Sequence, residues 1–253
     1  MSPGACADPT PGWTVALLGA ECTGKSTLAH TLSTALQAAL AALPGPSPLV
    51  AWVPEALRQW CDTQHRLPLA HEQANVARLQ LALVAAARER VGPSGWLVVD
   101  TTPLQTAVYS QHYFGDTTLC PHAQQQQHAF DVTLLMGLDL PWQTDGHLRD
   151  GPTTQLAVDA LLREQLQASG TRHHLVYGTG SARTAAALQA VARALPTGCA
   201  AQVVINTEAE KLYPASAGRQ KSLKYQAACE SCSDPDCEHL LFTRLVQRRP
   251  PAD

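Results

Sequence analysis

Gly19-Ala20-Glu21-Cys22-Thr23-Gly24-Lys25-Ser26-Thr27 constrains this chain more than any other stretch, because it has the GxxxxGK[ST] spacing at every fixed position. Ahead of it, Thr14-Val15-Ala16-Leu17-Leu18 reads as a short buried strand. Behind it, the Ala/Leu-rich run from Ser26 to about Leu43 reads as a helix. Strand, glycine loop and helix in that order make the spacing a physical site. Loop N–H groups and the positive end of the helix dipole hold phosphate oxygens. Lys25 is placed to reach the β- and γ-phosphates, and the Ser26 hydroxyl to ligate Mg²⁺. Gly19, Glu21, Cys22, Thr23, Gly24, Lys25, Ser26 and Thr27 are thus the expected nucleotide-binding residues. Lys25 is also the only lysine before Lys211, and a compact ammonium suits phosphate as a point charge.

The 253 residues suffice for one large domain or for a domain with an appendage. A net charge of −3 gives no global field toward nucleic acid or membrane. No apolar run approaches the roughly 18 residues that cross a bilayer. Residues 1–12 hold no basic residue and no apolar core, and read as a flexible leader rather than a signal peptide. Eight cysteines at this length do not make a disulfide scaffold, and a nucleotide-using protein is expected in the reducing cytoplasm.

Further strands are expected at Leu49–Val53, Trp96–Asp100, Asp131–Met136 and His174–Tyr177. Helices are expected over His71–Arg90, from Pro103, over Leu156–Ser169 and over Ala182–Leu195, with Gln124 to Gln127 as an exposed helix end. About five strands alternating with helices argue for a parallel sheet covered on both faces. After Pro196 the character changes: Val203-Val204-Ile205 suggests one more strand, and the rest is polar with a cysteine cluster. The expected organisation is a leader over 1–12, an α/β domain over 13–196 and an extension over 197–253.

Two strand-end acids stand out. Asp100 closes an apolar strand where an acid orients Mg²⁺ in phosphate-loop proteins; the alternative is a helix cap ahead of Pro103. Glu55 follows the second strand, and carboxyl ends of strands face the ligand crevice of an open α/β sheet. There it takes a proton from an attacking hydroxyl or holds a sugar; the alternative is a favourable acid at a helix N-terminus. Arg58, one turn on, is a phosphate contact or an exposed arginine. The polar segment Pro141 to Thr154 offers Arg149 as a lid cation that clamps the transferring group and excludes water, or is a solvent loop. In Tyr177-Gly178-Thr179-Gly180-Ser181 the glycines permit close approach, with Gly180 beside a nucleotide base, or simply make a tight turn.

These pieces in this order resemble the ribosylnicotinamide kinase domain of the bacterial NAD-biosynthesis regulator and related stand-alone P-loop ATPases. The matching residues are Leu18 to Leu28, Val53-Pro54-Glu55, Leu97-Val98-Val99-Asp100-Thr101, and Pro141-Trp142 with Asp145-Gly146. The resemblance spans roughly residues 13 to 195. It implies a three-layer, nucleoside-kinase-like P-loop NTPase, to which the chain's own C-terminal residues add a small Cys/His-rich appendage. It further implies ATP-dependent phosphorylation of a nucleoside, in the family nicotinamide riboside to the mononucleotide. It would carry phosphate binding to Lys25, Mg²⁺ to Ser26, Mg²⁺ or the role of base to Asp100, substrate contact or the role of base to Glu55, and the lid role to Arg149. Thr102 stands where the family often has a second acid, and Pro54 where an aromatic often precedes the glutamate. Trp52, Trp60, Tyr109 and Tyr113 are unplaced candidates for holding the substrate ring.

Cys229, Cys232, Cys237 and His239 have the spacing C-x₂-C-x₄-C-x-H. Four such ligands close a tetrahedral zinc site, structural rather than catalytic because every position is filled; a redox-active Cys229/Cys232 pair is the alternative. Such a metal would supply folding free energy to a tail this polar. Acids interleaved among its basic residues argue against nucleic acid as a partner. The expected partner is a small-molecule nucleoside, with no membrane, and homo-oligomerisation stays open. The competing functional reading is an ATPase or GTPase switch that uses a zinc-stabilised tail to hold a partner and has no small-molecule acceptor.

Overall fold

The computed structural model describes residues 12–142 and 151–214. Five parallel strands form one sheet in the order β2-β3-β1-β4-β5. They are β1 (Thr14–Leu18), β2 (Val50–Val53), β3 (Trp96–Asp100), β4 (Val132–Met136) and β5 (His174–Val176). Every residue of β1, β3 and β4 is buried, whereas the edge strands β2 and β5 are half-covered. The three central strands therefore read as unbroken apolar runs, as strands covered on both faces do.

The helices are α1 (Lys25–Leu40), α2 (Ala56–Gln64), α3 (Gln73–Val91), α4 (Pro103–Phe114), α5 (Cys120–Gln127), α6 (Pro152–Ala168), α7 (Gly180–Ala194) and α8 (Ala200–Leu212). Alternation along β1 sorts them onto the two faces. Val15 and Leu17 pack with α1, α7 and α8, in a core with Leu32, Leu36, Leu188, Val191 and Ile205. Leu18 packs on the other face with Leu104, Leu162 and Leu166 of α4 and α6. Ala16 joins Val53, Leu97 and Val99 against α3. Thr102 caps α4 by accepting from the Leu104 N–H at 3.3 Å, and Pro103 sits in its first turn, both good helix starts.

Strand order decides where a site can form. From central β1 the chain moves to one side for β2 and β3, then to the other for β4 and β5. The crevice beyond the carboxyl ends of β1 and its neighbours is the topological switch point. The glycine loop follows β1, Asp100 ends β3 and Glu55 follows β2, so the three converge there.

Several expectations need correction. Residues 203–205 are not a strand: they lie inside α8, whose Ala201, Ile205 and Ala209 complete the core beside α1 and α7. The compact unit accordingly runs on to Pro214, past the expected edge near residue 197. Residues 124–127 are not all exposed, since Gln127 is buried and bridges Thr102 and Thr133. The stretch near His71 opens with a 3₁₀ turn, Ala70–Glu72, before α3. Among the described residues no helix is long and apolar enough to cross a membrane. The expected leader lies outside the described residues, except for Gly12.

Because Ile205 is fully buried in α8, Ile205→Ala should destabilise the protein by about 2–4 kcal/mol, read by urea unfolding. A loss below about 1 kcal/mol would show that α8 is not docked on the sheet.

Candidate active site

The glycine loop is held from outside by three helices. Gln105 of α4 accepts the Gly19 N–H at 3.2 Å. Gln155 of α6 donates to the Glu21 carbonyl at 2.7 Å. Arg183 of α7 donates to the Thr23 carbonyl at 2.8 Å. A trans peptide points its C=O and N–H in opposite directions. Drawing the Glu21 and Thr23 carbonyls outward therefore turns the Cys22 and Gly24 N–H groups the other way, into the cradle. Gly24, at φ 73°, adopts a left-handed conformation, and an added Cβ would lie 2.9 Å from Leu140. A Cβ on Gly19 would lie 2.7 Å from that of Met136. Torsion favours glycine at both positions, and at Gly19 the fit against the Met136 Cβ requires it as well.

Lys25 and Ser26 occupy the first turn of α1. The Lys25 ammonium donates to the Gly19 and Ala20 carbonyls at 2.6 and 2.9 Å, folded back over the loop. Burial pulls its pKa down, and the nearby Glu55 and Asp100 carboxylates oppose this.

Asp100 is 1 % exposed, and its Oδ1 has no hydrogen-bond partner among the described residues. It is not a helix cap, since Thr102 fills that position. A buried carboxylate oxygen left without a donor is costly and fits a hard cation or a water held by one. Glu55, too, makes no capping bond to α2 although it stands at that helix's N-cap. Its side chain is 13 % exposed and pairs with exposed Arg58 at 3.1 Å. Burial pushes the Glu55 carboxyl above the usual range; Lys25 draws it back, Asp100 raises it again and Arg58 lowers it. Lys25, Glu55 and Asp100 thus form one electrostatic cluster.

The aromatic candidates divide. Trp52 meets His30 of α1 edge-on at 5.9 Å, which ties it to that helix. Tyr109 and Tyr113 stack at 6.1 Å on α4. Burial raises the Tyr109 phenol pKa, and the Glu55 and Glu21 carboxylates add to it. The Tyr113 hydroxyl donates to Glu21 Oε1 at 3.4 Å. The Trp60 indole N–H is buried with no acceptor among the described residues.

Sequence reasoning missed the residues that hold the site: Gln105 and Gln155, described above, and Gln80 and Arg183. Gln80 of α3, 1 % exposed, accepts the Ala56 N–H at 2.8 Å and donates to the Pro54 carbonyl at 3.3 Å, fixing the turn that carries Glu55. It also accepts from the Thr101 hydroxyl at 3.5 Å, beside Asp100. Thr101 itself has φ 71°, a conformation that costs a β-branched residue roughly 1–3 kcal/mol. Arg183, 4 % exposed, joins the Thr23 carbonyl to the Asp139 carboxylate at 2.9 Å and the Gly178 carbonyl at 2.9 Å. Two signals were available: a glutamine inside an apolar helix, and an arginine in a helix's first turn, where the dipole disfavours it. Arg149, expected on a lid, and Cys229, Cys232, Cys237 and His239, expected around zinc, lie outside the described residues. Among the described residues, no three His, Cys, Asp or Glu side chains gather as a metal site.

Arg183→Met would leave the Thr23 and Gly178 carbonyls without their guanidinium donor and Asp139 with the Gly178 N–H in place of an ion pair. A loss of about 2–4 kcal/mol in chemical unfolding is expected; a change under 1 kcal/mol would mean that the guanidinium is not what holds the loop.

The arrangement is that of a P-loop NTPase. Matching solved structures include NadR in complex with NAD and AMP-PNP, 19 % identical, with a TM-score of 0.54 over 72 % of this chain and 49 % of that one. NadR in complex with NR is also 19 % identical, with a TM-score of 0.51 over 67 % and 44 %. The chain thus spans about half the length of these relatives, and at this identity the likeness is one of fold. No curated protein sequence matches the chain. The profile of the AAA domain family, by contrast, matches residues 14–183, the whole stretch from β1 through the loop-holding arginine, and the chain belongs to that family.

Proposed function

We propose that this protein transfers the γ-phosphoryl group of ATP to a primary hydroxyl of a small nucleoside, with nicotinamide riboside, giving the mononucleotide, as the first acceptor to test. Glu55 carries the reading. A nucleotide switch has no use for a carboxylate desolvated at the mouth of the crevice and unused as a helix cap, whereas an acceptor hydroxyl needs one. The NadR structures, one with NR and one with NAD and AMP-PNP, support the same ligand classes.

In this scheme the loop amides and Lys25 bind the β- and γ-phosphates, the ammonium exchanging its two carbonyl bonds for phosphate oxygens. Glu55, whose raised pKa suits a proton acceptor, takes the hydroxyl proton as the oxygen attacks phosphorus and the bond to the bridging oxygen breaks. Ser26 and Asp100 would hold Mg²⁺, which neutralises charge on the phosphates. Tyr109 and Tyr113, stacked on α4, offer the acceptor's ring an aromatic face. Arg149 is assigned as the cation that closes over the transferring group.

Lys25→Ala should lower kcat by on the order of 10²–10³. With the wild-type protein, ATP consumption should require the nucleoside and yield a phosphomonoester; acceptor-independent hydrolysis across a nucleoside panel would replace the kinase reading with the switch.

Glu55 also sets a pH dependence. A carboxyl whose folded pKa is raised contributes stability that is complete below its ordinary range and is lost as pH rises through the raised value. The same group must be deprotonated to act, so the acid limb of kcat/KM should lie above the usual carboxylate range. Glu55→Gln should abolish that limb, cut kcat by roughly 10²–10⁴ and remove the fall in stability at higher pH. A variant with the wild-type pH–rate profile would exclude Glu55 as the base.

A further inference from the structure

Helix α8 carries none of the motifs above, yet Glu208 and Leu212, one turn apart, line a cleft of about 670 Å³. The volume lies within the roughly 300–1,000 Å³ of small-molecule sites. The opposite walls are α1, through Thr27 and Thr31, and the β5–α7 turn, through Thr179 and Gly180. At one end the cleft reaches Gly24, so it continues directly from the phosphate cradle. A ligand whose phosphates lie on the loop extends its nucleoside half into this space.

Glu208 is the only acid among the residues lining the cleft. Its side chain is 16 % exposed, and its ion pair is with Lys211 at 3.1 Å, itself 66 % exposed. An ion pair with so exposed a partner contributes little and leaves acceptor capacity on the carboxylate. A carboxylate only accepts hydrogen bonds. A nucleoside offers it donors in two places, the ribose hydroxyls and the base N–H groups.

We propose that α8 is the outer wall of the nucleotide site and that Glu208 accepts a hydrogen bond from the nucleoside half of the bound triphosphate. The proposal rests on nucleotide binding at the loop and is independent of which acceptor is phosphorylated. Charge alone would act in the opposite sense: removing a carboxylate near a polyphosphate strengthens every phosphate ligand. A loss confined to nucleosides is therefore diagnostic of contact.

The test uses the full chain with Glu208→Met, which removes the acceptor at similar side-chain length, titrated with magnesium ATP, 2′-deoxy-ATP, purine riboside triphosphate (which lacks the amine) and inorganic tripolyphosphate. The substitution should weaken ATP by about 10-fold or more, as expected for a hydrogen bond to a charged group, and leave tripolyphosphate no weaker. Loss retained with 2′-deoxy-ATP but absent with the amine-free nucleotide assigns the base amine as donor; the reverse assigns the ribose. Lys211→Ala breaks the same ion pair from its exposed side and should stay within about twofold of wild type. Unchanged ATP affinity in Glu208→Met overturns the proposal, as does equal weakening of tripolyphosphate or an equal loss in Lys211→Ala. Failure of the wild type to bind either tripolyphosphate or nucleotide would instead remove the loop reading beneath it.

Discussion

A peptide cannot present its carbonyl and its N–H to the same side, and the site follows from that constraint. A phosphate cradle needs N–H groups pointing inward, so the carbonyls of those same peptides must be satisfied on the loop's outer side. Gln155 takes the Glu21 carbonyl and Arg183 takes that of Thr23. Each donor comes from a different helix, and each helix is packed on the sheet through its own apolar residues. Burial of the core is thereby converted into the orientation of a few dipoles. Preorganised dipoles of this kind need no rearrangement when charge arrives, and this is their value in phosphoryl chemistry.

The same logic governs the charged groups. Lys25, Glu55 and Asp100 sit on three different elements that end at one crevice because of the strand order. Burial penalises the charge on Lys25 and on Glu55, and their mutual attraction offsets part of that penalty. Asp100 pulls in both directions: it supports the ammonium and opposes the Glu55 carboxylate. With Oδ1 of Asp100 lacking a donor among the described residues, the cation proposed at Asp100 would complete the cluster and relieve Glu55 as well. Lys25, Glu55 and Asp100 are electrostatically one unit.

Much of this was legible from sequence for definite reasons. β1, β3 and β4 are covered on both faces, so they appear as apolar runs with sharp ends, and the expected bounds of β3 coincide with those observed. The loop announces itself because its glycines and lysine stand at fixed spacing. Side-chain contacts between distant elements leave no such pattern. Gln80 bonds to the Pro54–Ala56 turn 24 to 26 positions away, and Arg183 reaches Thr23 across 160. Val203-Val204-Ile205 misled because three β-branched residues outweigh local helix propensity on paper, whereas Ile205 gains its stability from the tertiary core that α8 completes.

Strain shows what the clamps are for. Among the described residues three non-glycine residues take a left-handed backbone: Cys22, His65 and Thr101. His65 merely ends α2. Cys22 is in the phosphate loop and Thr101 follows Asp100, so the other two adjoin the chemistry. Such conformations persist only where surrounding bonds over-determine them. Thr101 is held by its N–H to the Leu17 carbonyl at 3.1 Å and by its hydroxyl to Gln80. The Cys22 peptide is held through the carbonyl of Glu21 by Gln155. Gln80 and Gln155 are buried, uncharged and absent from the phosphate-loop motif, yet they keep the strained residues in place. A substitution at either would release strain locally while loosening the geometry that the strain maintains, so stability and activity need not fall together.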